Sequence, residues 1–121
     1  MAEGQKYDLE ERLLDYAAAI VRLVGRLPRT PAGNHIANQL MRSGTSALPN
    51  HGEAQAAESQ SDFVHKMSIC LKELRESHRW LRLIGRVPLV RPAAEVEAVL
   101  KETDELIRIF VSSLRTAKRK N

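Results

Sequence analysis

Glu53, Glu73 and Glu76 invite comparison with the carboxylate-bridged metal centres of helical bundles. Such centres need Glu-x-x-His on two helices and a further glutamate on each of the others. None of His35, His51, His65 or His78 follows a glutamate at that spacing, and surface or ladder positions suffice for all four. A nucleophile elbow, a phosphate-cradling glycine loop and zinc-type cysteine spacing are all missing. The one cysteine, Cys70, falls in an apolar seam, where a buried thiol is inert. Glu73 and Glu76 make a carboxylate pair without a metal set or an evident pocket, which is poor support for catalysis. The expectation is a protein that is not an enzyme, with no catalytic residues, no metal and no cofactor.

Binding chemistry is better represented. If the segments holding residues 39–53 and 66–80 fold back on each other as helices, polar residues come face to face: Glu53 by Lys66, Ser46 by Glu73, Arg42 by Glu76 or Ser77, and Gln39 by Trp80. Gln39, Arg42, Ser46, Asn50 and Glu53 advance by three or four residues, so they share one helix face. Either this ladder fixes helix register, or its open edge meets a ligand. Deleting one member of a partly buried pair of this kind would cost about 3–5 kcal/mol.

Arginines gather near helix ends as three groups: Arg22, Arg26 and Arg29; Arg79, Arg82 and Arg86; and Arg115 with Lys118, Arg119 and Lys120. These are candidate phosphate contacts. The last group also suits a frayed, solubilising terminus at the negative end of a helix dipole. Trp80 reads either as a core or inter-subunit anchor or, between Arg79 and Arg82, as a platform for stacking a base.

Elements able to position these groups are legible in the periodicity. The chain has 121 residues, 43% hydrophobic and only 4% aromatic, with a formal charge of +4. That length suits one domain spanning 1–121 with a Leu, Ile, Val and Ala core. The spacing predicts four helices over about 8–27, 31–58, 62–85 and 92–117. Asp8 caps the first, with Glu11 three residues on. Its apolar positions are Leu9, Leu13, Tyr16, Ile20, Leu23 and Leu27, and a second stripe of Leu14, Ala18, Val21 and Gly25 is free for another subunit.

Thr30-Pro31 opens the second helix, whose seam runs through Ile36, Leu40, Ser43, Ala47, Asn50, Ala54 and Ala57. Pro49 is expected to bend it, and Gly44 and Gly52 to weaken it. Ser61 is the expected cap of the third helix, with a seam of Phe63, Met67, Cys70, Leu74, Ser77, Leu81 and Ile84. The fourth helix carries a wide apolar face from Val96 to Leu114. Short connections make neighbours antiparallel, giving an all-α, up-down-up-down four-helix bundle. A single cysteine, the lack of a signal-like pattern in Met1–Lys6 and the lack of a spanning apolar run point to the cytoplasm and away from membranes.

Gln39-Leu40-Met41-Arg42-Ser43-Gly44-Thr45-Ser46, then Asn50, Glu53-Ala54, Asp62 to Met67, Lys72-Glu73, Glu76 and Trp80-Leu81 together resemble the four-helix bundle protein family. Its members are also called 23S rRNA-intervening-sequence proteins, and they are related to accessory proteins of diversity-generating retroelements. Weaker agreement at Asp8-Leu9, Arg12 and Leu27-Pro28 extends the match over most of the chain. The resemblance implies a homo-oligomeric ring, commonly a pentamer, with no established enzymatic activity, and it brings nucleic-acid binding into view. Leu48-Pro49 departs from the small residues usual there, and Arg79 stands where an aromatic often precedes the tryptophan. The expected function is a non-enzymatic oligomeric binding protein that meets RNA or DNA through basic residues. The alternative is a protein–protein interaction scaffold that ignores polynucleotides and takes a protein partner.

Overall fold

A computed structural model describes residues 8–119, so Met1–Lys6 and Lys120 lie outside the described residues. The described chain holds four α-helices and no strand: α1 (Leu9–Val24), α2 (Pro31–Gln55), α3 (Gln60–Arg86) and α4 (Ala93–Arg119).

The starts of α1, α2 and α3 are each set by a side chain that satisfies an otherwise orphaned N–H. The Asp8 carboxylate accepts from the Glu11 N–H at 3.2 Å, and the Thr30 hydroxyl from the Gly33 N–H at 3.0 Å. The cap of α3 is Ser59 rather than Ser61, because its Oγ reaches the Asp62 N–H at 3.0 Å and the helix begins two residues earlier than expected.

Two helices stop short of their expected ends. After Val24 the chain tightens, with Arg26 N–H bonded to Leu23 O and Leu27 N–H to Val24 O, and Pro28 cannot continue the ladder. Leu27 is nevertheless buried beneath that turn. Likewise Ala56 and Ala57 bond back to Glu53 and Ala54, closing α2 at Gln55 instead of residue 58. At the other end of the chain α4 extends two residues past its expected limit, to Arg119.

The core is aliphatic, as the composition requires. Leu13, Ile20, Leu40, Leu74, Leu81, Ile84, Leu106 and Phe110 are fully buried. Every seam residue foreseen for α3 is buried except Phe63, which is half-buried. In α2 the register differs: His51, not Asn50, follows Ala47 into the interior. Asn50 instead donates its amide to the Ser46 carbonyl and hydroxyl, both at 3.0 Å. It thus serves the backbone beside Pro49, a residue that has no N–H to give. The helix runs on through that proline. Gly44 is buried against Ile20, where a Cβ would lie 2.7 Å from that side chain, so it serves close packing of α1 on α2.

One hydroxyl from each helix meets in the interior. Ser77 donates to Ser43 at 2.8 Å, and Tyr16 and Thr103 share a hydrogen bond at 2.7 Å. Burial lifts the Tyr16 phenol to about 12, although hydrogen bonds with Thr103 and Ser77 act against the rise. A satisfied polar chain of this kind penalises any slip in helix register, because a slip would strand its members without partners.

His51 is the buried group left incomplete. Its ring stands nearly perpendicular to Phe110 with centroids 6.2 Å apart, and its Nδ1 has no partner among the described residues. Burial lowers its pKa, against the opposing pull of Glu10 and Asp8. The folded state therefore resists a proton that the unfolded chain accepts near pH 6.5. The His51 contribution is intact above roughly that pH and declines as the pH falls from there toward the folded value. Urea midpoints should accordingly drop less between about pH 7.5 and 5.5 in His51→Gln than in the wild type. Equal drops would mean that His51 is not the titrating group.

Candidate functional site

The polar ladder between α2 and α3 exists, with fewer rungs than expected. Lys66 Nζ lies 3.1 Å from Glu53 Oε1, and Glu53 raises the lysine pKa. Arg42 bridges Glu73 at 2.9 Å and also bonds Glu76. That guanidinium, with help from the Trp80 N–H, holds Glu76 below the usual carboxylate range. Ser46 turns to Asn50 rather than to Glu73. Gln39 accepts from Arg42 at 3.5 Å, and the ring beside Trp80 is that of His35, 5.9 Å away and edge-on. The Arg42 side chain is 50% exposed, so its ion pairs are worth about 1 kcal/mol or less, not the 3–5 kcal/mol of a buried pair. The ladder is closed on itself. It fastens two helices and leaves both of its cations, Arg42 and Lys66, paired.

Trp80 is half-buried, and its ring N–H donates to Glu76 at 3.0 Å. It sits about 100° round the α3 axis from Arg79 and about 160° from Arg82, the arginines expected to flank it as a stacking platform. Cys70 donates to the Ala47 carbonyl at 3.6 Å, and burial pushes its thiol up to about 12. Among the described residues no group of three or more His, Cys, Asp or Glu is placed to hold a metal ion.

The basic groups divide sharply. Arg26 is engaged, bonding Glu95 at 2.6 Å and the Arg91 carbonyl at 2.7 Å, which ties the end of α1 to the start of α4. Arg22 and Arg29 are exposed near the same end of the molecule, whereas Arg115, Lys118 and Arg119 are exposed on the last turns of α4. These three do not join the first group.

The largest array is on α3. Lys72, Arg75, Arg79, Arg82 and Arg86 advance by three and four residues and are all exposed. At 3.6 residues per turn they fall in a sector about 80° wide along about 21 Å of helix. Arg79 touches only the Arg75 carbonyl, at 3.4 Å, and no ion pair engages the four arginines among the described residues. Three of them line a groove of about 240 Å³ between α3 and α4 together with His78, Asp104 and Ile107. His78 Nε2 lies 2.9 Å from Asp104 Oδ1. Lys72 and Arg75 escaped the sequence reading, which grouped cations by helix end. Their heptad-like spacing with Arg79, Arg82 and Arg86 was the available signal.

The family model of the 23S rRNA-intervening sequence proteins matches residues 5–112. The chain belongs to this family. A solved relative is a protein of unknown function from the S23 ribosomal protein family of Bacteroides thetaiotaomicron. It is 30% identical, with a TM-score of 0.81 over 88% of this chain and 98% of that one. No functionally curated protein matches the chain. The intervening-sequence family thus accounts for the four-helix fold, and the function has to be argued from the surface. No helix among the described residues is long and apolar enough to cross a membrane.

Proposed function

We propose that this intervening-sequence protein is a non-enzymatic, cytoplasmic nucleic-acid-binding protein that grips RNA or DNA phosphates through the outer face of α3. The observation that carries the reading is the row of Arg75, Arg79, Arg82 and Arg86, exposed and without ion pairs among the described residues. Cations held on a rigid helix in such a row repel one another, and a polyanion relieves that repulsion while releasing its own counterions. The binding unit we envisage is an antiparallel, up-down-up-down bundle assembled into a homo-oligomeric ring, a pentamer by family resemblance. Leu14 and Val21, 46% and 47% exposed on α1, supply apolar surface for that assembly.

The same two residues favour a second reading, a protein–protein scaffold in which assembly is the whole function. Light scattering coupled to size exclusion separates the two, run with a mixed pool of short RNA and DNA at low and moderate salt. An oligomer that takes up nucleic acid at low salt and releases it as salt rises is the expected result. An oligomer indifferent to the pool would leave the scaffold, and a monomer would remove the assembly on which both rest.

A further inference from the structure

Resting on that reading, we infer that the α3–α4 groove docks the sugar-phosphate backbone of a nucleic-acid duplex, and does so without stacking any base. Proteins that hold single strands combine a basic track with exposed aromatic rings, each stacked base adding about 1–3 kcal/mol. No exposed Phe, Tyr or Trp ring accompanies this track among the described residues, and the His78 imidazole in the groove is tied to Asp104 at 2.9 Å. Tyr16 and Phe110 are buried. Phe63 is half-buried at the far end of α3, beside the end of α4. Trp80 is held by Glu76 and His35 on the side of α3 that faces α2.

What remains is charge, and charge alone favours the duplex. Each neutralised phosphate contributes about 0.9 to the logarithmic salt slope on duplex DNA but about 0.7 on a single strand. For the four arginines this difference makes the duplex about sixfold tighter at about 0.1 M salt. A straight row suits a straight polyanion: about 21 Å of rigid helix offers its cations at intervals of one helical turn.

Asp104 is the carboxylate that lines the groove, and it holds His78 at 2.9 Å. Its charge opposes the arginines around it and would oppose any phosphate seated there. Lys101 and Arg108 lie one turn to either side of it on α4, both exposed, with Arg108 paired to Glu105 at 3.3 Å, so neutralising Asp104 removes the carboxylate that lines the groove itself.

The test is fluorescence anisotropy of the full chain with a labelled 20-base-pair DNA duplex and with its labelled single strand, for the wild type and Asp104→Asn. We expect the wild type to bind the duplex about sixfold more tightly than the strand at about 0.1 M salt. Asp104→Asn should tighten duplex binding several-fold. Equal or tighter single-strand binding would overturn the backbone-only account while leaving nucleic-acid binding intact. Unchanged or weaker duplex binding by a folded Asp104→Asn would overturn the placement in the groove. Binding of neither probe would remove the proposed function itself.

Discussion

Changing Arg75, Arg79 and Arg82 together to glutamine should weaken duplex binding about 500-fold at about 0.1 M salt, with little effect on the fold. The size follows from counterion release: three lost contacts, each with a slope near 0.9, amount to about 2.7 logarithmic units at that salt. Stability should change by no more than about 0.5 kcal/mol, because the side chains are exposed, have no ion pair among the described residues and are replaced by another good helix former. Anisotropy gives the first quantity and urea unfolding the second. A variant that loses binding by unfolding would show it in the urea midpoint, so the two effects cannot be confused. The matching change at Arg115, Lys118 and Arg119 should weaken binding far less, since those residues sit on the last turns of α4, away from the α3 row.

The second large effect concerns stability and has opposite signs at two glycines of one helix. Gly33 lies at the start of α2, and a Cβ there would stand 1.9 Å from the Pro28 carbonyl oxygen and 3.0 Å from its carbon. Both atoms are backbone, so no rotamer change relieves the clash, and the α1–α2 turn has to move. Gly33→Ala should therefore cost about 3 kcal/mol, at the upper end for overpacking. Gly52, in the same helix, has nothing within 4 Å of its would-be Cβ. Gly52→Ala should instead stabilise by about 0.5–1 kcal/mol, the helix-propensity gain of alanine over glycine. Chemical denaturation of both variants checks the pair, and a neutral Gly33→Ala would show that the turn yields easily.

Gly52→Ala also bears on how much of α2 was legible beforehand. Its existence and its Thr30-Pro31 start were plain, because a capping hydroxyl before proline is a local signal. Its buried register was not. Small residues, two glycines and Pro49 leave little amphipathic contrast between Ala47 and Ala54, so a step of three to Asn50 and a step of four to His51 look alike. α3 was the reverse: Met67, Cys70, Leu74, Leu81 and Ile84 recur at steps of three, four and seven residues, and each of them is buried.

Partner choice was the least legible layer. Helical spacing brought Glu53 to Lys66 and Arg42 to Glu76, since the α2–α3 connection is short and sets their register. Contacts between α1 and α4 carry no such constraint. Arg26 with Glu95, and Arg12 with Glu102 at 2.7 Å, depend on the completed fold. The candidate site fell between these cases. Arg79, Arg82 and Arg86 were singled out, but attention to helix ends split them from Lys72 and Arg75, with which they share a face. Trp80 was open between anchor and platform for a related reason: neighbours in sequence on a helix point in different directions, and Trp80 is turned toward His35 on α2.

The most direct test of the central claim is the salt dependence of duplex binding by the wild type and by the triple Arg75, Arg79 and Arg82 glutamine variant. If the α3 row is the binding face, the logarithmic slope for the wild type should become shallower by about 2.7 per engaged protomer in the variant. An unchanged slope in a folded variant would contradict the account, because the phosphates would then be held somewhere other than α3.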